Sequence, residues 1–282
     1  MNSTIQLGSF EINCIVENRI FLDAGSVYGI IPKSIWSKHH EVDSTNLLPF
    51  DINLFVVRAA GKNIIFDAGL GDFLEDRQRK LYGTAHQSAL IPGLVRLGLT
   101  PEDIDIVILS HLHWDHAGGC VRSVNGLTEM VFPNARHIVH SWEWEDASNP
   151  DERTGGVYFP ARLEIIAESG KLELIDTNRR EIIPGVDAVR IGGHTRGQLG
   201  IEIESNGHKL IYYADNFPSC HHLKVPYVSA TDLFPLDTQR CKRETLPKAF
   251  EGGWLIAMDH DVDCKIVRLK HDGLKYTCDK VL

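Results

Sequence analysis

Residues 110–119 read Ser-His-Leu-His-Trp-Asp-His-Ala-Gly-Gly, which puts His111, His113, Asp115 and His116 within six positions. The run Ile104-Asp-Ile-Val-Ile-Leu109 precedes them and has the apolar character of a short buried strand. The cluster therefore sits at the C-terminal mouth of a strand, and Ala117-Gly-Gly119 permits a tight exit into the next element. Neutral imidazoles suit zinc, iron, manganese or cobalt, and carboxylates suit the harder end of that series. On one loop His111 and His113 can face a common point while Asp115 and His116 face a second. Four side chains are too few to enclose two ions, so further donors are expected at other strand ends.

The rest of the chain supplies them. Val186-Asp-Ala-Val-Arg-Ile191 is strand-like and leads through Gly192-Gly193 to His194. Leu210-Ile-Tyr-Tyr213 leads to Asp215, and Trp254-Leu-Ile-Ala-Met258 leads to Asp259-His260-Asp261. Four strands that each finish in metal-capable residues can gather a site at one rim of an α/β architecture. Two ions about 3.5–4 Å apart would share a hydroxide, because each cation lowers the pKa of bound water toward neutrality. A bridging carboxylate offsets their mutual repulsion, and Asp215 is the best candidate. Hydrolysis is the chemistry that follows from such a pair.

Two hairpins organise the chain around these motifs. Asn53–Gly69 reads as two strands about an Ala-Gly-Lys turn, ending in Asp67-Ala-Gly69. Leu199–Asn216 reads as two strands about Asn206-Gly207, the strongest short hairpin signal, ending in Ala214-Asp215-Asn216. The shared layout hints at two related halves packed together. Helices are expected at Ala85–Leu97, Trp142–Ala147, Ala161–Ser169 and Thr238–Phe250, the third closing at Gly170. With no Ser/Gly-rich linker, residues 1–282 are expected to form a single domain.

The balance of 43% hydrophobic and 24% charged residues is that of an ordinary globular chain. A net charge of -9, without any long basic run, argues against nucleic acid or an anionic membrane as the main partner. No signal peptide or 18-residue apolar span is evident. The six cysteines (Cys14, Cys120, Cys220, Cys241, Cys264, Cys278) contain no CxxC pair. They read as reduced thiols of a cytoplasmic protein, Cys120 being a packed small residue.

The HLHWDHAGG run, Gly-His194-Thr-Arg-Gly, Asp215 and His260 together resemble the metallo-β-lactamase superfamily of metallohydrolases, in matching order across roughly residues 50 to 262. The resemblance implies a four-layer αβ/βα sandwich. It implies His111, His113 and His194 on a first metal, and Asp115, His116 and His260 on a second, with Asp215 bridging. It further implies a proton-transfer role for Asp115 and a position for Asp67 supporting the ligand loop. The expected cofactors are two divalent ions, zinc first, with manganese, iron or cobalt also compatible.

Asp23-Ala-Gly-Ser-Val-Tyr-Gly-Ile-Ile-Pro-Lys33 with Trp36, and Pro226–Thr238, look like the branch of lactonases and organophosphate hydrolases. That branch favours a small-molecule lactone or simple ester as substrate. Lactonases of this group that protonate the ring oxygen with a tyrosine carry it three residues after the bridging aspartate, where this chain has Pro218. Tyr227, His221 and His222 are the candidate replacements. Apolar pocket walls are expected from Val27, Tyr28, Ile30, Ile31, Phe217 and Tyr227. Competing expectations are phosphotriester or phosphodiester hydrolysis on the same site, a non-catalytic metal-binding regulatory protein, and, more distantly, an iron-dependent sulfur dioxygenase. A homodimer is compatible with the sequence, which does not require one.

Overall fold

The computed structural model describes residues 4–72, 74–84 and 87–282. In the first half run β1 (Thr4–Leu7), β2 (Phe10–Asp23), β3 (Leu47–Ala59), β4 (Lys62–Phe66) and β5 (Ile106–Ile108). They are followed by β6 (Val121–Val124), β7 (Leu127–Met130), β8 (Arg136–His140) and β9 (Leu172–Ile175). In the second half run β10 (Arg179–Ile183), β11 (Val186–Arg190), β12 (Leu199–Ser205), β13 (His208–Tyr212), β14 (Leu255–Ala257), β15 (Ile266–His271) and β16 (Tyr276–Lys280). The first sheet has the order β1-β2-β3-β4-β5-β8-β9 and the second runs β10 to β16 in sequence, while β6 and β7 form a separate hairpin. The second sheet is mainly antiparallel, and the first is antiparallel from β1 to β4 and parallel beyond. The parallel pairings are those of the β4–β5–β8–β9 run and the β13–β14 pair.

Strand alternation explains the layers. On β3 and β4, Phe55, Val57, Ile64 and Phe66 face the second sheet, where they meet Ile201, Ile203, Leu210 and Tyr212. The intervening Leu54, Val56 and Ile65 face outward, into a cluster completed by Leu90, Leu94, Leu163 and Ile166 of the covering helices. On β13 the same rule sends Leu210 and Tyr212 inward and Ile211 outward, beneath Leu246 and Ala249 of the helix Pro235–Glu251. A strand buried on both faces must be apolar throughout, which is why these segments read as unbroken runs. The result is the helix–sheet–sheet–helix sandwich expected from the sequence.

Both anticipated hairpins form, through Ala60-Gly61 and Asn206-Gly207, each pair with positive φ. The helices span Leu90–Arg96, Ser141–Ser148, Pro160–Glu168 and Pro235–Glu251. The first is shorter than expected, and its anticipated start at Ala85 lies outside the described residues. The Pro235 helix starts three residues earlier than expected, with the proline at its first turn, where the missing N–H costs nothing. The long strand β2 and the helix Asp76–Tyr82 were not anticipated, although Gln78 Oε1 accepts the Glu75 N–H at the helix start and Gly83 closes the helix with φ of 59°.

Close backbone approach fixes the exit from the His/Asp loop. Gly119 donates its N–H to Gly69 O, and a Cβ on Gly119 would lie 2.1 Å from Ala68 O. Gly119→Ala is expected to destabilise the protein by about 1–3 kcal/mol, the usual cost of overpacking. Chemical denaturation measures this, and an unchanged midpoint would contradict the contact.

Candidate metal centre

Every donor comes from the C-terminal end of a strand or the loop beyond it. His111 and His113 follow β5, Asp115 and His116 lie on the short helix Trp114–Ala117, His194 follows β11, Asp215 follows β13, and His260 follows β14. Contacts between the sheets bring these ends together. Leu199 N donates to Ser110 O, Asn53 N donates to Asp259 O, and the Asn53 amide donates to the carbonyls of Met258 and Asp261. The seven residues named in the sequence converge on one region.

Four of the five imidazoles are oriented from behind through Nδ1. The partner of His111 is Ser110 Oγ at 3.1 Å, and that of His116 is Asp67 Oδ2 at 2.9 Å. His194 meets Asp232 Oδ1 at 2.9 Å, and His260 meets the Asp51 carbonyl at 3.0 Å. An Nδ1 that donates its proton rearward leaves an Nε2 lone pair facing the centre. His113 is turned the other way, with Nδ1 3.0 Å from both His111 Nε2 and His194 Nε2. In their neutral forms the three rings thus bring together three nitrogens with at most one proton among them. A cation satisfies that arrangement and hydrogen bonding alone does not.

Beside this trio lies a second group, His116, Asp215, Asp259 and His260, whose donor atoms fall within 4.8 Å of one another. Asp215 stands between the groups. Its Oδ2 is 3.3 Å from His111 Nε2, 3.5 Å from His194 Nε2 and 3.1 Å from His116 Nε2, while Oδ1 is 3.5 Å from His260 Nε2. Asp115 Oδ2 lies 3.9 Å and 3.8 Å from His116 Nε2 and His260 Nε2. His116 Nε2, His113 Nε2 and both oxygens of Asp259 are buried without a hydrogen-bond partner. Such unpaired groups are costly unless something polar or charged meets them, and imidazole and carboxylate donors suit a divalent cation. The donor set fits two divalent cations.

Electrostatics agree with the geometry. Burial and the neighbouring rings hold His111 and His113 well below the ordinary histidine value. Burial also lowers His194, but Asp215 and then Asp232 override it and raise this ring to about 9. Asp215, despite burial, is drawn well below the usual carboxylate range by His194, His116 and His260. Burial pushes Asp259 up to about 7, against the pull of His260.

Supporting residues complete the site. Asp67 follows β4 with φ of 57° and accepts hydrogen bonds from Ser110 N (2.6 Å), Ser110 Oγ (2.8 Å) and Tyr212 OH (2.5 Å), besides meeting His116. Glu143, wholly buried, accepts from Leu112 N, Tyr158 OH and Thr195 Oγ1, and so clamps the two loops that carry His111 and His194. Glu143 and Asp232 were not anticipated, since nothing local marks an acid whose partners are distant in sequence. Asp259 was visible at its strand end but was not assigned to the site.

The centre forms the floor of a cleft of about 390 Å³ whose walls include Val27, Phe50, Tyr82, Trp114, Val157 and Leu233. Pro218 and Arg153 also face it. Val27 takes the wall position foreseen for it. The candidate substrate residues Phe217, His221, His222 and Tyr227 do not line this cleft. Phe217 packs under the second sheet, because the turn Ala214–Asn216 swings its ring away from Asp215. His222 is consumed by Ser219 Oγ and the Val27 carbonyl, His221 meets the His39 and His40 rings, and Tyr227 packs edge-on against Tyr28. Tyr28 itself is buried behind the wall, and Ile30 is 83% exposed.

Removing the Asp67 carboxylate leaves His116 unoriented and the Ser110 donors unpaired. Asp67→Ala is expected to weaken cation retention about 10–100-fold, as loss of an orienting partner usually does. Chelator competition on the metal-loaded protein measures this, and native retention would contradict the role. A cation must also displace the proton that His194 holds up to about 9, so retention should rise as pH climbs toward that value.

Comparison with known proteins agrees with this architecture. Residues 47–260 match the profile of the Metallo-beta-lactamase superfamily. An N-acyl homoserine lactonase of a Bacillus species is 26% identical over 253 residues, which covers 81% of this chain and 91% of the relative. Among solved structures, a probable metal-dependent hydrolase from Staphylococcus aureus superposes with a TM-score of 0.90 at 29% identity, covering 99% of this chain and 100% of that one. AidC, a dizinc quorum-quenching lactonase in complex with a product, superposes with a TM-score of 0.82 over 99% of this chain and 97% of its own; at 21% identity it bears on the fold alone. This chain belongs to the metallo-beta-lactamase superfamily and is one of its hydrolases.

Proposed function

We propose that the protein is a dinuclear hydrolase that opens a lactone or a related carboxylic ester. The observation that carries the reading is the Asp215 carboxylate, set between a three-histidine group and a His/Asp group at the floor of an apolar cleft. Lactonase relatives that cover most of this chain support the choice of ester over other hydrolysable bonds. Bound divalent cations, zinc first, would supply Lewis acidity and a water acidified toward neutrality.

The chain's own residues do the rest. His111, His113 and His194 would hold one ion, and His116 and His260 the other, with Asp215 shared and Asp115 or Asp259 completing the second set. The rearward Nδ1 contacts keep the rings in register, so little reorganisation accompanies the reaction. Asp115 is at the cleft floor and takes the proton released as water attacks the carbonyl, then returns it to the departing alkoxide. Pro218 has no proton to offer, and Tyr227, His221 and His222 are turned away. Proton return therefore falls to Asp115. Val27, Phe50 and Leu233 suit an apolar acyl arm, while Arg153 places a cation at the wall for a polar end of the substrate.

His116→Ala should retain the fold by circular dichroism, lose about one metal equivalent by elemental analysis, and lose turnover by a factor on the order of 10² or more. Full activity with one ion per chain would contradict a two-ion site. Comparing kcat/KM across a lactone panel and an aryl phosphotriester tests the substrate class. A preference for the phosphotriester would replace the lactonase reading with the phosphoryl one.

A further inference from the structure

Two of the six cysteines, Cys220 and Cys264, converge on the Asp261 carboxylate outside the candidate metal centre, and a third, Cys278, touches Cys220. Cys220 lies on the turn Cys220–Leu223, Cys264 in the segment after β14, and Cys278 on the edge strand β16. Cys220 Sγ and Cys278 Sγ are 3.0 Å apart, inside the van der Waals separation of two sulfur atoms. The donor atoms of Cys220, Cys264 and Asp261 all lie within 4.8 Å of one another. Asp261 is held in place by the backbone N–H groups of Cys220 (2.9 Å), Asp263 (2.8 Å) and Cys264 (2.7 Å). Its carboxylate makes no ion pair with Lys or Arg among the described residues.

We propose that Cys220, Cys264, Cys278 and Asp261 form a separate site for a soft divalent cation of the zinc class, with three thiolates and one carboxylate as ligands. Core filling alone describes Cys14 and Cys120, which are buried singly among apolar neighbours, whereas Cys220, Cys264 and Cys278 pack at the margin of an apolar cluster and also meet one another or Asp261. The three clustered thiols are only partly buried and come from separate segments, and two of them lie within ligand distance of one oriented carboxylate. Tetrahedral zinc takes sulfur at about 2.3 Å and carboxylate oxygen at about 2.0–2.2 Å, which sets its sulfurs about 3.8 Å apart. The Cys220–Cys278 pair would open by less than an ångström, on a strand with one free edge. Each thiol releases its proton to solvent on coordination, so uptake is proton-coupled.

Its position gives the site a role. Pro218, in the cleft wall, lies two residues before Cys220, and its carbonyl accepts the His260 N–H at 3.0 Å. Asp261 directly follows His260. An ion here would pin the cleft wall and the His260 loop to the edge strand, setting the stiffness of both.

Cobalt substitution of the full-length protein tests the proposal, because sulfur-to-cobalt charge transfer absorbs in the near ultraviolet and the candidate metal centre offers no sulfur. The stripped and reloaded wild-type protein should show this band. Cys264→Ser and Cys278→Ser should each lose it along with one cobalt equivalent, and keep the visible bands of the histidine–aspartate centre. In the zinc-loaded protein these thiols should resist a disulfide reagent until a chelator is added. Absence of the band at cobalt saturation overturns the proposal without reference to any variant. So does an intact mass two hydrogens lighter after anaerobic purification, which would identify a Cys220–Cys278 disulfide instead.

Discussion

The Asp67 carboxylate is the joint on which the rest of the structure depends. It ends one strand of the first sheet, caps the start of the His/Asp loop through Ser110, orients His116, and receives the hydroxyl of Tyr212 from the second sheet. A carboxylate this deeply buried is tolerable only because four donors converge on its two oxygens. Satisfying it requires the two sheets to be in register at their strand ends. The same register brings His194, Asp215 and His260 opposite the His/Asp loop. Packing and chemistry are thus specified by one set of hydrogen bonds.

Much of this was legible in the sequence, for reasons particular to the residues concerned. The ligands sit just beyond apolar runs, so a strand and its terminal donor are read together in a window of ten residues. Asn206-Gly207 announces its hairpin because few residue pairs adopt two successive positive φ angles. What stayed hidden depends on contacts that close over long stretches. Glu143 meets Thr195 across 52 positions, and Asp232 meets His194 across 38. Neither leaves a periodicity or a spacing to recognise. Phe217, His221, His222 and Tyr227 misled for a related reason: nearness in sequence to Asp215 does not decide which way a side chain turns after a tight turn.

The cleft separates the two kinds of information. Its floor is polar, preorganised and built from residues whose types admit few substitutes. Its walls are mostly side chains of ordinary apolar character, contributed by strands, short helices and loops from both halves of the chain. The reaction type is therefore read from the floor. Discrimination among substrates would rest on wall residues such as Val27, Tyr82 and Arg153, which can change without disturbing a single candidate ligand.

The donors of the candidate centre are spread from His111 to His260, and a shared cation there would tie chain segments separated by about half the length of the protein. In polymer terms it closes a very large loop, the kind of closure that removes most entropy from an unfolded chain. Unfolding would have to break that closure before the two sheets could part. With such an ion bound, the lifetime of the folded protein would be governed in part by how slowly the cation leaves, and persistence at high temperature would be a property of coordination chemistry as well as of the apolar core.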